Sequence, residues 1–208
     1  MNSIKGILDK SDYEIYDDFL NFQVDGYWLD EKLEEFYPGN MYKGTVPTLL
    51  FWMEIEKERE VVWNRILPDI GHKTICPILM CPDDCDFSCT LIDAEIENTG
   101  GTIKWNKIGI DRTEEFEPDK IGSTVEWLDK TQPLEFDLTE YEQMLDEFKK
   151  HFEIDKLRWE ERNRELQEEQ KKKNNERPTM HKSNGGKSDK TKVSTNNKSR
   201  SWWKSLWS

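Results

Sequence analysis

From Lys171 to Arg200 the chain carries two apolar side chains, Met180 and Val193. A segment that buries no apolar area cannot offset the entropy of ordering its backbone. The gap confines the foldable part to residues 1–165 and predicts a disordered basic linker over 166–200. Beyond it, residues 201–208 form a separate tip that holds Trp202, Trp203, Leu206 and Trp207. Most of the nine Trp, nine Phe and six Tyr lie before residue 160, so the first segment has the material for one core.

Charge divides at the same place. Residues 171–208 hold eleven Lys/Arg against two Asp/Glu, and residues 1–170 hold 19 against 41, within a formal net charge of −13. An acidic domain repels nucleic acid and anionic membranes and attracts cationic partners. The tail has the opposite preference.

Local patterns give the elements. Ser11-Asp12-Tyr13-Glu14 fits a capping box, and Ile15, Tyr16, Phe19 and Leu20 follow at helical spacing, which predicts a helix over 12–21. A second helix is predicted from Leu29 to Phe36, stopped by Pro38-Gly39. Pro47 to Ile66 reads as a longer helix with a charged centre. Thr74–Met80 is a short strand in which Pro77 requires an edge or a bulge. Residues 89–97 alternate, with Ile92, Ala94 and Ile96 on one face and Asp93, Glu95 and Glu97 on the other. Asn98-Thr99-Gly100-Gly101 is a turn, and 102–110 returns, so 89–110 is a hairpin. Ser123–Leu128 is another short strand. Thr139 and Glu142 make a capping box for a long helix. Its stripe of Tyr141, Leu145, Phe148 and Phe152 fades before Leu166. The fold class is α+β: a small antiparallel sheet around the 89–110 hairpin, packed with helices, then a long C-terminal helix and a basic tail.

Chemistry-bearing residues concentrate near the hairpin. Cys76, Cys81, Cys85 and Cys89 could hold zinc through sulfur. Their spacing lacks the two close pairs of common zinc sites and does not match iron–sulfur loops. The alternative is four small buried hydrophobes around a turn. The N-terminal residues lack a secretory pattern and no stretch suits a membrane span, which places the chain in the cytoplasm with reduced thiols. Asp83, Asp84 and Asp86 occupy one turn, without the Gly and distal Glu of an EF-hand loop. Together with the outward face Asp93, Glu95 and Glu97 they would make an acidic patch suited to a cationic partner, for instance a nuclease's basic groove.

No nucleophile elbow, phosphate-binding glycine loop or His-Glu-x-x-His motif appears, and the histidines are His72, His151 and His181. The sequence therefore points to a non-catalytic protein-binding module. In general build it is similar to bacterial toxin-immunity proteins, a similarity of type carried by no shared motif. The alternative is a metal- or thiol-dependent enzyme centred on Cys76–Cys89. Trp202, Trp203, Leu206 and Trp207 would dock the tail on a protein groove or peripherally on a membrane surface. Stacking on nucleic acid is the less favoured use.

Overall fold

A computed structural model describes residues 1–10, 18–53, 55–115 and 117–175, with side chains to Lys172. Strands β1 (Ile4–Asp9) and β2 (Phe19–Val24) pair antiparallel, Ile4 opposite Val24 and Asp9 opposite Phe19. β2 turns through Asp25-Gly26 into β3 (Tyr27–Trp28). Both turn residues have positive φ, 51° and 84°. That is the hairpin geometry an Asp-Gly pair favours.

This corrects the helix predicted over 12–21. Residues 11–17 lie outside the described residues, and Phe19 and Leu20 belong to β2. The physical reason is pairing with β1, which buries nearly all of β2, including Phe19, Leu20, Phe22 and Val24.

α1 (Leu29–Phe36) follows β3 directly and occupies the predicted span. The longer helix predicted from Pro47 is shorter: α2 is Glu56–Arg65. Val46–Pro47 is instead β4, paired with Met80 and Leu79 of β5 (Lys73–Met80). The cause lies at the β5 bulge, where the register shifts between Pro77 and Leu79. There the Thr48 hydroxyl donates to the Pro77 carbonyl (2.7 Å) and the Thr48 amide to the Ile78 carbonyl (3.1 Å). Those bonds hold the segment after Pro47 against the strand, with Leu49, Leu50 and Met53 buried.

The larger sheet runs β4-β5-β6-β7-β8, all antiparallel, with β6 at Leu91–Asn98, β7 at Thr102–Asp111 and β8 at Val125–Trp127. β9 (Leu134–Asp137) pairs the first half of β7, while β8 pairs its end. The β6–β7 hairpin is the one the sequence predicts. A bulge between Glu95 and Ile96 places Trp105 opposite Ile96.

An aromatic cluster fills the core. Phe22 of β2 meets Trp105 of β7 edge-on at 5.8 Å and Phe148 at 4.9 Å, and Phe136 of β9 meets Trp105 at 5.4 Å. Phe148 and Tyr141 belong to α3 (Leu138–Asn175). At its start Asp137 accepts from the amides of Thr139 (2.9 Å) and Glu140 (3.2 Å). The cap is thus Asp137, not the predicted Thr139.

The chain divides into two compact units, Met1–Lys156 and Leu157–Ser208. In the second, the described residues are helical to Asn175. The linker predicted to begin at 166 is therefore helical for its first residues. Glu, Gln, Lys and Arg are strong helix formers, and acids precede bases there, as in Glu168 and Lys172. The rest of the predicted linker and the tip lie outside the described residues. No described helix is long and apolar enough to cross a membrane.

Candidate functional site

The connection from β5 to β6, residues 81–90, carries most of the chemistry that the sequence singles out. It is pinned at its base by the Cys81 amide donating to the Thr90 carbonyl (3.0 Å). Inside it the Cys85 amide donates to the Cys81 carbonyl (3.2 Å), and Cys85 adopts a positive φ of 51°. Asp86 accepts from the Ser88 amide (2.7 Å) and hydroxyl (2.6 Å). Cys85 and Phe87 are buried beneath the turn, whereas Asp83 and Asp84 stand exposed.

Glu58 of α2 holds the turn from below. It is buried, and one carboxylate oxygen accepts from the Phe87 amide (3.1 Å). Burial pushes its pKa up to about 7, against the opposing pull of that amide. Sequence reasoning passed over Glu58 inside a charged run. The available signal is its spacing: Glu58, Val61, Val62 and Arg65 fall at i, i+3, i+4 and i+7 on one helix face.

The four cysteines do not converge on one point. None of them is in a disulfide. Cys76 is fully buried in β5 with its sulfur 3.4 Å from the Pro77 carbonyl and 3.7 Å from that of Val62. Cys85 lies 3.2 Å from the Pro82 carbonyl. These two are the small buried side chains of the alternative sequence reading. Cys81 and Cys89 are half-buried, and their sulfurs lie with an Asp84 carboxylate oxygen inside a 4.8 Å grouping. Burial and the adjoining Cys89 thiol push the Cys81 pKa up to about 11. The nearby backbone amides of Asp83 and Asp84 act against this.

The acids predicted as a single outward face are separated. Asp93 is fully buried, which corrects its assignment to a solvent face. Alternation along β6 is regular, but a second layer covers this side. Asp93 pairs with Pro77 on β5 and Gly109 on β7. Side chains of Val125 and Trp127 come within 2.6 and 2.9 Å of where a Gly109 Cβ would stand. Gly122 sits over Ile75, which shares the face, and Arg65 ties the same loop to the sheet through the carbonyls of Ile121 (2.6 Å) and Ile75 (3.3 Å).

Burial pushes the Asp93 pKa up to about 8, with Asp111 adding to the rise and Arg65 opposing it. Glu95 and Glu97 are partly exposed, but both face Lys73, at 3.9 and 3.2 Å. Glu97 also accepts from Asn106 Nδ2 (3.0 Å). No described lysine or arginine pairs with Asp83, Asp84 or Asp86. Trp202, Trp203, Leu206 and Trp207 lie outside the described residues.

Comparison with protein-family models, curated proteins and solved structures returns no match, so the site's own chemistry carries its interpretation.

Proposed function

We propose that this chain is a non-catalytic binding module that takes a cationic face of a partner protein on the turn bearing Asp83, Asp84 and Asp86. Inhibition of a basic protein, after the manner of toxin-immunity proteins, is the use such a surface suits. The observation that carries the reading is the contrast between two acidic groups. Glu95 and Glu97 are compensated by Lys73, whereas the three aspartates of the turn face no described cation. Uncompensated charge on a fixed turn steers a cationic partner and sets its register without a large ordering cost. The basic tail, with Trp202, Trp203, Leu206 and Trp207, would supply a second contact on the same partner or on a membrane surface.

The test is affinity of the full-length protein for a basic partner isolated on it. The triple variant Asp83→Lys, Asp84→Lys, Asp86→Lys should raise Kd by about tenfold or more at low salt. The difference should shrink as ionic strength passes ~0.15 M, where the Debye length is about 8 Å. Equal Kd for wild type and variant, with circular dichroism unchanged, would overturn the reading. Deleting residues 201–208 measures the tail's share separately.

A further inference from the structure

We infer that Cys81, Asp84 and Cys89 form a binding site for a thiophilic divalent cation of the zinc class. This goes beyond the partner-binding reading and does not depend on it.

The two sulfurs and one carboxylate oxygen lie within 4.8 Å of one another, close enough for one ion to bridge all three. Two thiolates and a carboxylate are a borderline-soft donor set, which zinc accepts at tetrahedral geometry. A hard cation such as calcium needs six to eight oxygens, which the turn does not assemble. Three protein ligands leave the fourth tetrahedral position for water or for a side chain brought by another molecule.

The fold has already arranged these ligands. Cys81 ends the β5 side of the connection and Cys89 lies just before β6, and the Cys81 amide bond to Thr90 clamps the two strand ends together. The Cys85 amide bond to the Cys81 carbonyl closes the same loop. Cys76 and Cys85, with sulfurs against carbonyls, stay outside the site.

Binding of one divalent ion by two thiols and one carboxylate releases two protons and leaves the site with one net negative charge. The loaded site therefore carries one negative charge, as Asp84 alone does without metal.

The experiment uses the reduced, metal-free full-length protein and Co²⁺ as the probe, with Zn²⁺ in competition. One equivalent of cobalt should produce thiolate-to-cobalt charge-transfer absorption and tetrahedral d–d bands, and zinc should abolish both. Cys81→Ser and Cys89→Ser should each remove the charge-transfer band or halve its intensity. Asp84→Asn should weaken cobalt binding by about tenfold or more, since losing even a partner of a ligand typically costs that much. Cys76→Ser and Cys85→Ser should leave the spectrum unchanged wherever circular dichroism reports a native fold. Absence of the sulfur-to-cobalt band in a folded protein would overturn the proposal. So would dependence of the band on Cys85 instead of Cys89. A reduced protein that takes up no cobalt but forms a Cys81–Cys89 disulfide in air would identify the pair as redox-active and overturn the metal site. Charge reversal at Asp83 and Asp86 alone separates the two readings, because it should weaken partner binding while the cobalt spectrum persists.

Discussion

Asp93 carries a carboxylate where the sheet offers it no donor. Both of its oxygens are buried without a hydrogen-bond partner among the described residues. Opposite it stand Pro77, which has no N–H, and Gly109. Asp111 is already occupied, accepting from the amides of Thr113 and Gly122, both at 2.6 Å. Two ionised carboxylates are acceptors only, but a protonated Asp93 can donate to Asp111. Arg65 is the one cation acting on Asp93, and its guanidinium is committed to backbone carbonyls. The native pKa of about 8 against an ordinary 3.8 fixes the sign of the linkage. Between those values the folded state binds more protons than the unfolded chain, so stability falls as pH rises, by at most about 1.4 kcal/mol per pH unit. Below the lower value the effect vanishes, and above the upper one the full cost is present. Glu58, raised from 4.5 to about 7, adds a contribution of the same sign over that narrower pH window. Asp93→Asn, whose amide can donate to Asp111, should raise Tm at pH 8 by about 5 °C or more and flatten the profile between pH 4 and 8. Thermal melts of both proteins across that range decide it. Parallel profiles would mean that Asp93 is ionised and solvated in the fold.

At the scale of elements, one buried hydroxyl links the first turn of α3 to both β7 and α2, beside the apolar contacts that α3 makes through Phe148. Tyr141 is fully buried, accepts from Trp105 Nε1 of β7 (3.2 Å) and donates to the Ile66 carbonyl at the end of α2 (3.0 Å). Tyr141→Phe keeps the ring stack on Phe136 but strands a buried donor and a buried acceptor. Each stranded group costs about 1–3 kcal/mol, so the variant should lose about 2–6 kcal/mol of unfolding free energy in a urea titration. A loss below ~0.5 kcal/mol would show that water replaces the hydroxyl.

How far such elements could be read in advance depended on how local their causes are. The 89–110 hairpin was legible because its alternation and its Asn-Thr-Gly-Gly turn are both within the segment. The stripe Tyr141, Leu145, Phe148 was legible for the same reason. Phe19 and Leu20 share helical spacing with their neighbours, but their pairing with β1 is decided outside that window. Asp25-Gly26 is itself a local hairpin signal, which places a strand before it. Asp93 was placed on the right face, but that face is covered by the loop after β7, a contact with no local signature. Of the candidate site, the cysteine spacing drew attention to the turn between β5 and β6, yet it carries no sign that Cys76 and Cys85 turn to carbonyls while Cys81 and Cys89 meet Asp84.

For the whole molecule, the largest unbalanced quantity is charge. The formal net charge of −13 acts as self-repulsion on any compact state, and salt screens it. Surface pairs such as Lys32–Glu35, Arg112–Glu126 and Lys149–Asp146 oppose this locally, but exposed pairs are each worth ~1 kcal/mol or less and weaken with the same salt. The two trends have opposite signs, and net repulsion wins in a chain with 43 acids against 30 bases. Raising ionic strength from ~0.01 M, with a Debye length near 30 Å, to ~0.15 M should therefore raise Tm by a few degrees. Ending the chain after Asn175 removes eight basic and two acidic residues and takes the formal net charge from −13 to −19. Repulsion grows with the square of charge, so the shortened chain should melt lower at low salt and gain more from added salt. Melting both forms across a sodium chloride series checks this directly. If Tm falls with salt in both, the local ion pairs outweigh the net field. If the two slopes coincide, the basic residues after Asn175 do not alter the field that the acidic unit experiences.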